Sequence, residues 1–425
     1  MPRYDATPAP VLELVSTLSL VFPDAELSRL AQRAQRQNAD LVAAGARLDE
    51  AGFDFTQVRA PLFPSLSGAF SANRFQTNNF GGGNSSFINN SFTATLDATW
   101  ELDVWGRVRH GVKAATSDQA ALAADLAAAE QSLTAQVYQS WFDLIASNQR
   151  LELARRESHS LSQTRQLTER RFEAGTLSLT ELEVARTDAA NALADIEPLL
   201  EERDQVARQL KALMGDYPDA KMAGATQWPS LARTIPAGIP SSLLRSRPDI
   251  DAAYQRVRAA DSRIKVAHSD LFPSFALSVS GGRSSGDLSD LLTNLSNTWS
   301  LGGDILAPLF EAGARRAELG ASHARAREAY ANYGSAVLTA LQEVENALSA
   351  SNRLRNEEQT REKALTAARG AQSRAQRDFE AGITDLLSLL ETQRRAFATE
   401  EQIITIRNER FNNRVALALA LGKAY

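Results

Sequence analysis

The chain has 425 residues, with 46 Lys and Arg against 51 Asp and Glu, 4 His and no Cys, and 44% of its residues are hydrophobic. A net charge of −5 gives no electrostatic reason to bind a phosphate backbone, so nucleic acid is excluded as an expected partner. The lack of Cys excludes disulfides, thiolate metal sites and a Cys nucleophile.

The N-terminal segment does not have the pattern of an export signal. Asp5 and Glu13 lie in the region where a signal peptide carries positive charge, so we interpret the start as mature or truncated sequence. The chain contains no run of 18 apolar residues, so no transmembrane helix is predicted. This criterion does not detect membrane β-strands, which are shorter and alternate in polarity. The first predicted element is a short helix at about 24–58.

A β-hairpin is predicted at about 62–105. Residues 92–104 alternate strictly, with apolar residues at even positions and Thr, Asp or Glu at odd positions. Such a strand would extend about 43 Å, which exceeds most soluble strands and suits a tilted crossing of a bilayer. Residues 66–75 supply the partner strand across a polar loop at 77–86, and a second hairpin at about 271–309 alternates more weakly.

Two interpretations of these hairpins are open. In a soluble sheet, one face would be buried, and Trp100, Trp105 and Trp299 would be core residues. However, two separated hairpins leave unpaired edges, and no other strand is predicted to cover them. Four strands cannot close a barrel either, so closure requires strands from several subunits. The pattern favours a membrane barrel built by an oligomer.

Long helices dominate the rest of the chain. Residues 112–174 lack both Pro and Gly and predict a helix about 95 Å long. Gly175 is the predicted reversal that leads to a return helix at 177–215. The second half predicts the same order, listed here: helix 248–269, the second hairpin, long helix 313–380, a reversal at Gly382 and return helix 384–421.

The chain is an internal duplication. Residues 171–215 align without a gap on 378–422 at an offset of 207, and the two glycine reversals coincide. We therefore divide the chain into a first repeat, 1–215, a Pro-rich linker, 216–247, and a second repeat, 248–425.

Four segments carry a family resemblance: TWELDVWGRVRHGVKAA (99–115), IPAGIPSSLLRSRPDIDAAYQRVRAADSRIKVAHSDLFPS (235–274), PLFEAGARRAEL (308–319) and FEAGITDLLSLLETQRR (379–395). In this order and spacing they resemble the TolC family of outer-membrane efflux proteins, and most closely the NodT-type, often lipid-modified channels that serve resistance-nodulation-division (RND) pumps.

The resemblance implies a mainly α-helical protein with a membrane β-barrel. Three identical subunits, each with four strands, would close a 12-stranded barrel in the bacterial outer membrane, in contact with its lipid. The helices would continue as a tunnel in the periplasm, with the linker 216–247 around its middle. The implied partners are a periplasmic adaptor (membrane fusion) protein and an inner-membrane RND-type pump.

The resemblance also implies a closing aperture near the second reversal. In the family, acidic residues follow the glycine by six and nine positions, where this chain has Ser388 and Glu391. Arg394 lies one helical turn beyond Glu391. Three copies of Glu391 would form a carboxylate ring that needs Arg394 or cations to offset repulsion. The alternative is an ordinary surface ion pair worth about 0.2–0.5 kcal/mol.

The two reversals are the implied docking tips for the adaptor. By themselves the sequences predict only a helix reversal, because Gly adopts the left-handed cap conformation. Docking follows from the resemblance alone, and it assigns eight residues: Gly175, Thr176, Leu177, Ser178, Gly382, Ile383, Thr384 and Asp385.

No pattern in the chain indicates catalysis. The four His are scattered, and neither a phosphate loop nor a nucleophile motif occurs, so we predict no catalytic residue, metal site or cofactor. The expected function is a passive exit duct of a tripartite efflux pump that carries drugs, small molecules or metal ions from the periplasm to the exterior. Alternatives are the exit duct of a type I protein secretion system and a soluble coiled-coil scaffold.

The missing Cys departs from the lipid-anchored pattern of NodT-type channels. We expect either that the channel lacks an acyl anchor or that a signal peptide and a lipid-bearing Cys precede Met1.

Overall fold

The computed structural model describes residues 18, 21–78, 86–222, 226–231, 247–292 and 297–422. Its helices are α1 (Ala25–Gln37), α2 (Ala39–Arg59), α3 (Arg107–Glu173), α4 (Leu179–Ala194), α5 (Ile196–Leu213), α6 (Pro248–Ser269), α7 (Ala314–Glu380) and α8 (Leu386–Leu421). Its strands are β1 (Ser65–Asn78), β2 (Ser86–Leu102), β3 (Ser274–Ser285) and β4 (Asn297–Leu306).

The chain forms two compact units, and each takes residues from both sequence repeats. Unit 1 comprises Met1–Gly45, Asp125–Ile250 and Ala336–Tyr425, and unit 2 comprises Ala46–Ala124 and Asp251–Ser335. Among the described helices, none combines the length and the apolar character needed to span a membrane.

Two of the predicted helices are each interrupted once. The prediction at 24–58 is split at Asn38, whose Oδ1 accepts the N–H groups of Asp40 and Leu41 at 3.0 and 3.2 Å and so caps α2. The predicted return helix 177–215 is split at Asp195 into α4 and α5. The ring of Pro198 disfavours an unbroken helix here, and Pro is tolerated only in the first turn of α5.

The strand-to-helix junction of unit 2 makes α3 start at Arg107, earlier than the predicted 112. Gly106 adopts a left-handed φ of 81°. Asp103 then caps the first turn, because its carboxylate accepts the N–H groups of Val108 and Arg109 at 3.0 and 2.9 Å. These bonds offset the low helix propensity of Gly111 inside the helix.

The main core of unit 1 is aromatic. Phe142 of α3 lies 5.0 Å from Phe22 and 5.0 Å from Phe411 of α8, measured between ring centroids. Trp141 and Tyr138 of α3 are fully buried in the same cluster. Each such side chain stabilises the fold by roughly 1.5–3 kcal/mol. The core therefore fixes α3 against α8.

A buried arginine fixes the start of α6. Arg247 is only 8% exposed and donates to Asp249 at 2.7 and 3.0 Å, to Glu343 at 2.7 Å and to the carbonyl of Ala420 at 3.3 Å. Burial lowers the pKa of Arg247, but its ion pairs raise that pKa by more, so the net shift is upward. Within unit 1, the Arg-Pro-Asp sequence thus holds the first turn of α6 against α7 and α8.

Unit 2 contains one antiparallel sheet in the order β1-β2-β3-β4. The expectation of two separated hairpins is wrong, because β2 pairs with β3 from Phe92 opposite Ser285 to Leu102 opposite Phe275. Among the described strands, only β1 and β4 lie at the edges of the sheet. This central pairing joins the two repeats, and sequence alternation cannot reveal it because pairing partners are set by tertiary structure.

The strand ends differ from the predictions. β2 begins at Ser86, opposite Asn78, and β3 continues to Ser285, opposite Phe92, so polar residues complete the ladder at these strand ends. β4 ends at Leu306, two residues before Pro308, which has no N–H to donate. Of the predicted loop at 77–86, residues 79–85 lie outside the described residues, as do 223–225 and 232–246 of the linker.

The sheet has two chemically distinct faces. Even-numbered residues of β1 and β2 share one face with odd-numbered residues of β3 and β4. This apolar face is exposed in the single chain, with Leu96 61%, Trp299 82% and Leu301 66% accessible. The opposite, polar face carries Ser, Thr and Asp. An exposed apolar surface of this kind requires lipid or a partner to cover it.

The duplication extends to the backbone. The glycines with positive φ in the described residues form three pairs at the 207-residue offset, with φ between 66° and 86°: Gly106 and Gly313, Gly175 and Gly382, Gly215 and Gly422. Because only Gly adopts this conformation at low cost, the same chain reversals recur in both repeats.

We expect Glu157→Gln to stabilise unit 1 at neutral pH. Burial, followed by the charges of Asp195 and Glu401, raises the pKa of Glu157 above its ordinary value. Ionised Glu157 therefore disfavours folding above that raised pKa, and this cost disappears as the pH falls through it. The substitution should raise the thermal midpoint by about 1–2 °C at pH 8 and by less at pH 4.5, as measured by circular dichroism.

The control for this substitution is Glu152→Gln on the same helix. Glu152 is exposed and lies 3.8 Å from Arg155, so its replacement should leave the midpoint nearly unchanged. A gain for Glu157→Gln that is constant across pH would contradict the assignment to ionisation.

Candidate functional site

Both predicted reversals are present in unit 1 and have the same hydrogen bonds. After α3, the N–H of Gly175 donates to Phe172 at 2.8 Å and that of Thr176 to Arg171 at 2.9 Å. After α7, the N–H of Gly382 donates to Phe379 at 3.0 Å and that of Ile383 to Asp378 at 2.8 Å. These are Schellman caps, which end each helix at a left-handed glycine.

The helices that follow the reversals are capped by side chains. Ser178 and Glu181 form a reciprocal capping box at α4, with bonds of 3.2 and 2.8 Å. At α8, the carboxylate of Asp385 accepts the N–H of Ser388 at 2.7 Å, and this bond lowers the pKa of Asp385. Ser388, a predicted aperture residue, therefore takes part in the cap of α8.

The structure brings the two reversals together. Arg171 at the end of α3 donates to the carbonyl of Phe379 at 2.7 Å and lies 5.0 Å from the centre of its ring. Phe379 is fully buried with Leu386 and Leu389, and Leu177 packs against this cluster. The sequence pattern does not single out Arg171. The signal that the sequence offers is a difference between the repeats, because the position equivalent to Arg171 in the second repeat carries the opposite charge, as Asp378.

Glu391 forms an ion cluster on the exposed side of α8. Its Oε2 accepts Arg394 Nε at 3.0 Å, and its Oε1 accepts Arg395 Nε at 2.5 Å. These bonds lower the pKa of Glu391, the bond from Arg394 by more than the bond from Arg395. Arg394 was predicted as a partner and Arg395 was not, although it lies four residues along the helix. We call these three residues the Glu391 cluster, and its net charge is +1.

A buried polar contact sets the rotation of α8. Gln393 is only 2% exposed, and its Nε2 donates to Thr164 Oγ1 at 3.1 Å and to Ser160 Oγ at 3.3 Å on α3. Rotating α8 would leave these groups buried without partners, at a cost of about 1–3 kcal/mol each. Since Gln393 faces α3, Arg394 and Arg395 are held outward, with 73% and 72% of their side chains exposed.

Apolar side chains are exposed beside the reversals. Leu179 is 57% exposed, Ile383 77% and Leu387 68%. We call these three residues the tip patch. Because the caps fix the backbone around it, the patch is a preformed apolar surface rather than a flexible loop.

Comparisons with known proteins agree over most of the chain. Residues 30–216 and 239–423 match the profile of a family described as outer membrane efflux protein. The chain is 32% identical to the pyoverdine export outer membrane protein OpmQ of Pseudomonas aeruginosa, over 94% of this chain and 86% of that protein. It is 28% identical to the cation efflux system protein CusC of Escherichia coli O6:H1, with the same coverage of 94% and 86%.

The fold agrees as well. The solved structure of the outer-membrane channel OprN superposes with a TM-score of 0.91 at 29% identity, over 96% of this chain and 92% of that one.

Proposed function

Because the chain belongs to the outer membrane efflux protein family, a family of passive channels, we propose that three copies form the exit duct of a tripartite efflux pump. The observation that carries this proposal is the sheet formed by the described strands, which has one exposed apolar face, one polar face and β1 and β4 as its free edges. Pairing each β4 with the β1 of the next copy gives 12 strands, enough to enclose a polar lumen.

The same sheet argues against the soluble scaffold. Its exposed apolar face would be an aggregation surface in water, whereas lipid covers it in a barrel. Relatives named for pyoverdine export and cation efflux support small molecules or metal ions as cargo over a type I secreted protein. The pump chooses the cargo, and an adaptor protein and an inner-membrane RND-type pump complete the assembly.

The tip of unit 1 is the proposed site of adaptor contact. The tip patch offers apolar area between two rigid reversals, and removing this area from water favours association. The contacting backbone would be that of Gly175 to Ser178 and Gly382 to Asp385. Their helix caps leave the loops ordered before binding, which reduces the entropy cost of association.

The Glu391 cluster is the proposed aperture, with Ser388 beside it. Three copies around one axis bring together three carboxylates and six guanidinium groups. The pairs within each copy offset the repulsion among carboxylates that a bare acidic ring would have, and the excess of arginine makes the aperture net positive. Adaptor binding at the neighbouring tips would then separate the three copies of α8 and widen the opening.

Replacing Glu391, Arg394 and Arg395 together with Ala should raise the single-channel conductance of the reconstituted trimer by about twofold or more. The reason is that the substitution removes three bulky side chains per copy from the narrowest point of the channel. The matched control is Arg353, Glu357 and Arg361 to Ala, a second Arg-Glu-Arg cluster away from the reversals on α7, with distances of 3.2 and 3.4 Å.

Planar bilayer recordings distinguish the outcomes. Equal conductance of the aperture variant and the wild type would contradict the aperture assignment. Failure of the wild type to form a detergent-stable trimer or any channel would contradict the exit duct itself.

A further inference from the structure

The charged residues of the sheet are separated by sign. The charged side chains on its described strands are Arg74, Asp97, Glu101, Arg283 and Asp304. Arg74 lies opposite Asn90 and Arg283 opposite Ala94, so both arginines belong to the apolar face. The three acidic residues have the opposite register and belong to the polar face. The apolar face thus carries positive charge only.

The two arginines lie toward one end of that face. β1 and β3 begin at the end of the sheet where helices α2 and α6 precede them, and Arg74 and Arg283 lie near the far ends of these strands, beside the hairpin loops. The apolar band on β2 runs from Leu102 to Phe92, about 33 Å along the strand, or about 25 Å across a bilayer at barrel tilt. Arg74 is level with Asn90, just beyond this band.

The side chain of Arg283 points toward the loop. Its Nη1 donates to the carbonyl of Leu291 at 3.4 Å, in the short turn Asp290–Leu292 between β3 and β4. A long side chain can in this way keep its stem among apolar neighbours and its charge near the membrane surface. Within the described part of the chain, neither Arg74 nor Arg283 pairs with a carboxylate. Their charges are therefore open to an anion at the membrane surface.

We propose that Arg74 and Arg283 form a binding site for the phosphate groups of a glycolipid in the outer leaflet. The inference rests on the proposed duct, in which α2 and α6 lie on the periplasmic side of the sheet and the opposite ends of β1 and β3, with the two arginines, face the exterior. Phosphate suits arginine, which offers planar paired donors. The acidic strand residues of a neighbouring copy cannot take the place of the phosphate as the anion that pairs with these arginines, since those residues lie on the polar face.

The test measures binding of fluorescent lipid A, the phosphorylated anchor of lipopolysaccharide, to the purified full-length trimer in neutral detergent. Arg74→Gln with Arg283→Gln should weaken binding by about tenfold or more, and Arg74→Lys with Arg283→Lys, which keeps the charge but loses the planar donors, should weaken it less. Arg355→Gln with Arg374→Gln, which removes two exposed arginines of α7, should leave it unchanged.

A second arm needs no variant. Wild-type trimer should bind lipid A without its phosphates, and phosphatidylglycerol, at least tenfold more weakly than intact lipid A. Equal binding of any of these lipids, or unchanged binding by the glutamine variant, overturns the inference. A glutamine variant that conducts normally shows that the duct is intact, so loss of lipid binding is separable from loss of the channel.

Discussion

Gly215→Ala is expected to destabilise unit 1 by about 3–4 kcal/mol, whereas Gly175→Ala should cost only about 1–2 kcal/mol. The two glycines have nearly the same backbone, with φ of 72° and 69°. An alanine at either position is therefore strained by a similar amount. The difference between the two substitutions isolates what surrounds the added methyl group.

The surroundings differ sharply. A Cβ at position 215 would lie 2.5 Å from the carbonyl oxygen of Gln37 and 3.1 Å from its carbonyl carbon, whereas nothing lies within 4 Å at position 175. The obstructing atoms at 215 are backbone at the end of α1, so they cannot rotate away. Relief requires α1 to move, which would disturb the bond from Asn38 Nδ2 to the carbonyl of Leu213 at 3.1 Å.

The measurement is the thermal midpoint of each variant in detergent, followed by circular dichroism, with Gly175→Ala as the matched control. Gly215→Ala should melt several degrees below Gly175→Ala. If both variants melt at the same temperature, the end of α1 adjusts without cost and the contact with Gln37 does not constrain the fold.

Features that depend on nearby residues could be predicted from the sequence. The glycine reversals and the alternating strand are local features. Glycine by itself favours a left-handed φ, and the period of two in a strand is visible in consecutive residues. Arg394 was predicted as the partner of Glu391 for the same reason, and Arg395 was equally accessible from its spacing.

Features that depend on distant residues could not be predicted. The pairing of β2 with β3 joins segments from different repeats, and the contact of Arg171 with Phe379 joins the ends of two long helices. Asn38 likewise interrupts a helical pattern because the carbonyl of Leu213 is available to its side chain. In each case the deciding partner is more than 170 residues away, where periodicity carries no information.

Leu96→Arg is expected to reduce assembly into the outer membrane severely, whereas Thr99→Arg on the same strand should be tolerated. Leu96 lies near the middle of the apolar face, opposite Gly68 and Gly281. An arginine facing lipid at mid-bilayer costs about 2–4 kcal/mol, and a trimer would carry three. The flanking glycines offer no polar side chain that could pair with the new charge.

Thr99 is the control because it is exposed on the polar face, opposite Ser65 and Ser278. A charge there would face the lumen, where water solvates it, so assembly should persist while ion conductance changes. Leu96→Ala separates the effect of charge from the loss of the leucine side chain. The readout is the yield of heat-stable trimer from outer-membrane fractions. Equal yields for Leu96→Arg and Thr99→Arg would mean that the apolar face does not contact lipid, and the exposed apolar surface of the single chain would then have to be covered by protein.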